Sequence, residues 1–368
     1  MKLLSFQPFS LYENGGGNRI LRRLYQDREQ QITSLAVTGF ASTPKTGQIK
    51  EIIITAAPAT RRWMRWYFRD SIIWLREKAF RFWTINRIRK IAANIPFDVL
   101  HVVNHGPFSA ALNDDGFLNG KPLWVSFHDH FSTTCGSFTD ADKLWNKADR
   151  RLVISKELGN EYQKLFGNMP YTVITDGVET TELSTPSAAK QSPVIIYFAG
   201  LLHIEYIKLF KVLADALDLL TKQDLTFKLV LRATQKIPFL NNRLFEVEYR
   251  EMTLNNDELN NELNSASILY LPIKFTTPNF YLYSLSTKMI GYLGGAGAIL
   301  YHGPGDSAAC NMLQRANAAV CCNTLNTDDL VKSIIDLINN KSSISYNAKI
   351  LAQESFNMTI MQQRFWQL

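Results

Sequence analysis

Short apolar runs alternate along the chain with stretches whose apolar residues recur every three or four positions. Residues 2–9 alternate weakly and break at Gly15, Gly16 and Gly17, and helical spacing then resumes through Ile20, Leu21 and Leu24. The opening therefore predicts a strand, a glycine loop and a helix. Largely apolar runs at 32–37, 52–55, 99–103, 123–127, 152–155 and 171–175 predict further strands. Strands alternating with helices imply a parallel sheet covered on both faces.

A second series follows a change of composition. Residues 180–193 (TTELSTPSAAKQSP) are rich in Ser, Thr and Pro with little apolar content, which reads as a linker. Beyond it, strands are predicted at 194–198, 227–231, 268–271 and 298–301. Helices are predicted over 208–222, where Leu209, Leu213, Leu217 and Leu220 share a face, and over 257–265, 286–294 and 327–339. The Asn-rich 241–264 reads with helical logic, and there is no fixed-period repeat. The expected fold class is α/β, with two Rossmann-like doubly wound domains facing a central cleft. The first covers 1–178 and the second 194–350, and a C-terminal helix over 351–368 packs back on the first. Ligands in such folds bind beyond the C-terminal ends of the strands.

Composition narrows the class. Over 368 residues, 46% hydrophobic and 20% charged is ordinary globular usage, which excludes disordered and fibrous chains. Cys135, Cys310, Cys321 and Cys322 form no CxxC pair, so a disulfide scaffold or zinc ribbon is not expected and a reducing setting is. No window holds the eighteen uncharged apolar residues of a membrane span, and the first residues are too short an apolar stretch for a signal peptide. A cytoplasmic location follows as the expectation.

The formal charge of +7 is concentrated. Residues 61–91 hold ten Arg or Lys against Asp70 and Glu77, a local +8, so the remainder is nearly neutral. The same segment has eight aromatic residues, four of them Trp. On a helical wheel Arg61, Arg62, Arg65, Arg69 and Arg76 share one arc, while Trp63, Trp66, Tyr67 and Trp74 share another. A basic face beside a Trp-rich face suits a helix lying on an anionic membrane, with Arg61, Arg62, Trp63, Arg65, Trp66 and Arg69 as the membrane or acceptor surface. The same residues also fit a core-packing helix with a solvated rim, or a single-stranded nucleic-acid site. The membrane reading is preferred, and no nucleic-acid partner is expected.

Several short motifs occur in a telling order. They are Gly15-Gly16-Gly17 with Arg19, Asp98-Val99-Leu100-His101-Val102, Val153-Ile154-Ser155 and Thr175-Asp176-Gly177-Val178-Glu179. Phe198-Ala199-Gly200, the stretch from Glu258 to Pro272, and Ser284-Leu285-Ser286-Thr287-Lys288 through Gly295 complete the series. Together they resemble the retaining GT-B glycosyltransferases of the large family 4-like group of bacterial mannosyl and polysaccharide enzymes. The resemblance implies a hexose-type sugar carried from a nucleotide-sugar donor to a cell-envelope glycan or lipid-linked acceptor. It further implies action at the cytoplasmic membrane face, retention, and no metal or other cofactor. The alternative is a catalytically degenerate GT-B protein that binds nucleotide or glycan, or acts as a partner subunit.

Candidate site residues follow from the charge such a reaction develops. The leaving diphosphate needs N–H donors and cations. Gly15, Gly16 and Gly17 let backbone approach a phosphate or sugar, although tight turns also favour glycine. Ser286, Thr287 and Lys288 open a helix with hydroxyls and an ammonium, although Ser286 also fits as an ordinary N-cap. By resemblance His128 lies beside the donor sugar and is the catalytic candidate. The His128-Asp129-His130 run has alternating faces and no further ligand nearby, so a metal site is not expected. His105 is a weaker candidate, His203 is placed to reach the donor diphosphate from the second domain, and His302 reads as structural. Leu201 stands where the family has Arg, so Lys208 and Arg232 are the expected substitutes on the diphosphate. The family's paired glutamates align with Tyr283 and Gly291, and Tyr283 is kept as a donor contact.

Overall fold

The chain divides after Thr175. In a computed structural model, Met1–Thr175 with Gln362–Leu368 form one unit and Asp176–Met361 the other. All residues are described except 14, 41–46, 61–63, 65–67, 185–191, 201, 203, 254 and 368, and the side chains of 40 and 69.

The first unit is built on seven strands: β1 (Leu3–Gln7), β2 (Ile32–Phe40), β3 (Lys50–Thr60), β4 (Val99–Val103), β5 (Leu123–Phe127), β6 (Arg150–Val153) and β7 (Thr172–Val173). Their order is β3-β2-β1-β4-β5-β6-β7, all parallel. The second unit has β8 (Val194–Ala199), β9 (Phe227–Arg232), β10 (Glu246–Arg250), β11 (Ile268–Pro272), β12 (Ala298–His302) and β13 (Ala319–Cys322). Their order is β10-β9-β8-β11-β12-β13, again parallel. β1, β4, β5, β11 and β12 are buried along their whole length, which is why they read as continuous apolar runs. In each sheet the order reverses at the first strand, β1 and β8, so crevices form between β1 and β4 and between β8 and β11.

Side-chain caps start many of the covering helices. Ser137, Ser155, Asn255, Ser307 and Asn326 each accept a backbone N–H from the first turn of the helix that follows. The C-terminal residues belong to the first sheet's surroundings. Arg150 donates to the carbonyls of Arg364 and Phe365, Gln362 to that of Arg23, and the Trp366 indole to that of Leu24.

The structure corrects several expectations. The helix predicted over 327–339 is Thr327–Ser355, because Ser345, Ala348 and Ala352 extend its buried stripe. The separate helix expected over 351–368 is therefore only Met358–Trp366. The stretch read as a linker begins with a turn, Thr180–Glu182, and its Ser184 N–H donates to the Gly294 carbonyl. Glu246–Arg250 is a strand, not helix, since its neighbours on β9 pair with it residue for residue. β13 has no counterpart in the sequence reading.

The basic segment is not one amphipathic helix. Arg69–Trp74 runs into a π-helical turn, Leu75–Ala79, and a second helix, Arg81–Ala92, starts after Phe80. The wheel loses register at that turn. Arg76 leaves the expected basic arc and donates to the Gly39 and Pro58 carbonyls and the Thr60 hydroxyl, at 2.5–3.1 Å. Arg61, Arg62, Trp63, Arg65 and Trp66, and the side chain of Arg69, lie outside the described residues.

Candidate functional site

At the first crevice, β1 leads through a loop into the helix Gly16–Tyr25. The loop is tied down locally. The Asn18 amide donates to the Ser10 carbonyl, and the Arg22 guanidinium reaches the carbonyls of Leu11 and Glu13. Gly15 is the N-cap, no side chain among the described residues caps the helix, and no acid sits in its first turn. Its leading N–H groups thus keep the positive end of the helix dipole for an incoming acceptor. Gly17 is required by proximity: a Cβ there would lie 2.9 Å from the Phe9 ring and 3.5 Å from His128 Nδ1.

His128 follows β5 and is 8% exposed. Burial, and secondarily the neighbouring His105, lower its pKa to about 4, so the imidazole is neutral at pH 7. Among the described residues none hydrogen-bonds its ring nitrogens. A neutral ring held this way has one donor and one acceptor to offer a sugar hydroxyl. The helix start and His128 are therefore brought together. His105 packs edge-on against Phe9. His130 Nδ1 is 2.8 Å from the Ser132 hydroxyl, where it caps a short turn. Among the described residues, no three His, Cys, Asp or Glu side chains are grouped to hold a metal ion.

At the second crevice, β8 ends at Gly200, whose φ of +134° suits glycine. A Cβ there would stand 3.2 Å from Lys288 Nζ. Lys288 lies in the first turn of the helix Thr287–Gly294, with its ammonium 3.6 Å from the centroid of Phe198. One turn on, Tyr292 accepts a hydrogen bond from the Ala199 N–H at 3.2 Å. Burial pulls the Lys288 pKa down to about 7, and among the described residues no hydrogen bond or ion pair reaches its ammonium. Ser286 is the N-cap residue, yet its hydroxyl makes no capping bond, contrary to the ordinary capping alternative. Thr287 follows it at the helix start. Tyr283 is half-buried, Lys208 is exposed in the helix Ile207–Thr221, and His203 is outside the described residues.

Arg232 is placed differently from expectation. Its guanidinium holds Glu262 through two nitrogens, one at 2.6 Å, Glu258 at 2.7 Å, and the Glu251 carbonyl. Arg250 also reaches Glu262, at 2.6 Å, and the Tyr197 hydroxyl donates to it at 2.7 Å. The charge expected to grip diphosphate is thus neutralised by carboxylates of the helix Asn256–Ser265. This cluster lines a cavity of about 560 Å³ with Met252 and Thr253. The sequence reading missed it, although a signal was present. Arg232 and Arg250 end adjacent strands in register, and Glu258 and Glu262 lie one helical turn apart. Of the histidines, His302 is structural as expected: it bonds the Tyr270 hydroxyl and the Thr324 carbonyl, both at 2.8 Å.

Residues 35–182 match the family model described as Glycosyltransferase Family 4. No curated protein matches the chain by sequence. Solved structures match over nearly its whole length. Anabaena Alr3699/HepE in complex with UDP has a TM-score of 0.67 at 13% identity, covering 99% of this chain and 98% of that one. A glycosyltransferase from Rickettsia africae gives 0.63 at 12%, covering 99% and 97%. WaaG, a glycosyltransferase involved in lipopolysaccharide biosynthesis, gives 0.60 at 11%, covering 98% of each. At these identities the likeness is one of fold: two Rossmann-like units with parallel sheets, as in GT-B glycosyltransferases.

Proposed function

We propose that this protein is a glycosyltransferase that moves a hexose-type sugar from a nucleotide-sugar donor to a cell-envelope glycan or lipid-linked acceptor. The observation that carries the reading is the unpaired Lys288 ammonium beside Gly200 at an uncapped helix start. Such a place favours an anion, and a diphosphate gains negative charge as its glycosidic bond breaks. Lys288 and the helix N–H groups offset that charge with no metal, and His128 hydrogen-bonds the sugar as its anomeric carbon is exchanged with retention. Anabaena HepE is solved with UDP and with UDP-glucose, so uridine donors are the first to try. The WaaG likeness supports an envelope acceptor.

A membrane-face location is part of this proposal. Among the described residues, Phe68, Trp74, Phe80, Phe82 and Trp83 are exposed in and beside the two helices of the basic segment. Exposed Lys78, Arg87 and Lys90 accompany them, and Arg87 lies over the Trp83 ring at 5.7 Å. Aromatic side chains with cations nearby favour an anionic lipid interface. No described helix is long and apolar enough to cross a membrane. The alternative of a degenerate binding subunit draws on the neutralised Arg232 and on Tyr283 and Gly291 standing where carboxylates were sought.

The test is transfer itself. Purified protein is given a panel of nucleotide sugars with membrane lipid extract, and nucleoside diphosphate release is followed. The proposal expects release that depends on one donor and the extract, and at least a hundredfold loss in His128→Ala. Donor binding without turnover favours the degenerate subunit. Equal partition onto neutral and anionic vesicles removes the charge-assisted membrane role.

A further inference from the structure

One face of the first sheet carries a row of polar side chains where apolar ones are usual. His101 on β4, Ser5 on β1, Ser34 on β2 and Glu51 on β3 are lateral partners in the parallel register, so they share a face. Ser5, Ser34 and His101 are fully buried. Gln7 and Ser126 stand two residues from this row's positions on β1 and β5, on the same side. The Tyr25 hydroxyl descends onto the row from the helix Gly16–Tyr25.

These groups form one hydrogen-bond chain whose direction is fixed. Glu51 is an acceptor at one end, taking the Ser34 hydroxyl at 3.1 Å. Ser34 accepts the Gln7 amide at 2.6 Å, and the Gln7 carbonyl oxygen accepts the Ser5 hydroxyl at 2.7 Å. With its proton spent, Ser5 takes the Tyr25 hydroxyl at 2.7 Å. Tyr25 must then accept from His101 Nδ1 at 2.6 Å, and His101 Nε2 accepts the Ser126 hydroxyl at 2.8 Å. Burial lowers the His101 pKa to about 3, which agrees with a neutral ring. Ser126 stands on β5 two residues before His128, so the chain ends on the strand that leads to that imidazole.

The other end grips the glycine loop. Glu51 also accepts the Ser10 hydroxyl at 2.5 Å and the Leu11 N–H at 2.8 Å. The start of the same strand is pinned to the loop, since the Tyr12 hydroxyl accepts the Ile49 N–H at 2.7 Å. Bonds to a carboxylate are about twice as strong as neutral ones, and a fully satisfied buried network stiffens what it joins.

We propose that Glu51 is the positioning residue of the glycine loop. It fixes the loop through Ser10 and Leu11, and the chain it anchors sets Tyr25 and hence the helix whose Gly17 backs onto His128. Its part in turnover rests on the glycosyltransferase reading; its part in holding the loop does not.

The full-length protein decides it with Glu51→Ala and Glu51→Asp. In Glu51→Ala the amides of Leu11 and Gly16–Asn18 should exchange with solvent at least tenfold faster, with the helix Arg81–Ala92 unchanged. Turnover should fall at least tenfold while UDP affinity stays within twofold, and Glu51→Asp should restore most of both. A nitrogen-15 spectrum should show His101 protonated at Nδ1. If Glu51→Ala does not fold, Glu51→Gln serves, which keeps the shape and removes the charge. Unchanged loop exchange overturns the proposal, as does a loosened loop with unchanged turnover. Wild-type protein without any transfer fails the functional reading alone, and the exchange comparison still decides the role of Glu51.

Discussion

The Lys288 ammonium sits 3.6 Å from the centroid of the Phe198 ring, and Gly200 leaves room for it at the end of β8. The ring face attracts the cation without neutralising it. Burial then makes the charged form costly and holds the pKa near 7.

That depression has a sign. Between about pH 7 and the ordinary lysine value the folded protein has released a proton that the unfolded chain keeps, so stability rises with pH across this window. A bound diphosphate favours the ammonium and takes the proton back. Calorimetry should therefore show UDP affinity weakening above pH 7, by up to tenfold per pH unit, and Lys288→Met should abolish the dependence. A flat profile in the wild type contradicts the role assigned to Lys288.

Two glycines give opposite outcomes. Gly17→Ala forces a Cβ to within 2.9 Å of Phe9 and should destabilise by about 1–3 kcal/mol, with loss of turnover. Gly291 lies inside the helix Thr287–Gly294, and a Cβ there meets nothing within 4 Å among the described residues. Gly291→Ala should stabilise by about 0.5–1 kcal/mol. Thermal melts of both variants check the pair.

Acid should loosen the fold through its histidines. His101, His128 and His302 have pKa values lowered to about 3, 4 and 4 by burial. Below pH 6.5 the unfolded chain binds protons that the folded one refuses, so stability is lost progressively as pH falls toward 4. The slope of Tm against pH over that interval should shrink in His302→Asn. An unchanged slope shows that His302 is not a source of it.

The Arg232–Glu262 pair is buried on both sides, at 7% and 6% side-chain exposure. Without the Glu262 carboxylate, Arg232 keeps only the half-exposed Glu258 as a charged partner, so Glu262→Gln should cost about 1.5–3 kcal/mol in denaturant unfolding. A loss below about 1 kcal/mol would return Arg232 to the role of an available cation.

Much of this fold is legible in the chain because parallel strands buried on both faces leave unbroken apolar runs, as at 123–127 and 298–301. β10 hides because its Glu246, Glu248 and Arg250 carry the charges of an edge strand. The π turn at Leu75–Ala79 has no periodic signature, so the wheel misplaces Arg76. At the site, Gly17 and Lys288 were readable from position after a strand or at a helix start. Glu51 was not: a lone acid on a strand shows its meaning only when Ser10, Leu11 and Ser34 converge on it. Arg232 misled for the same reason, because its partners lie 26 and 30 residues on.

The most direct measurement is thermal denaturation of the wild type and Lys288→Ala against nucleoside diphosphates and their sugar conjugates. A ligand at a hundredfold over its Kd stabilises by about 2.7 kcal/mol. The account predicts a clear rise in Tm with at least one nucleotide, lost in Lys288→Ala while that variant's own Tm is no lower than the wild type's. A panel that leaves the wild-type Tm unmoved, or a shift that survives in Lys288→Ala, would contradict it.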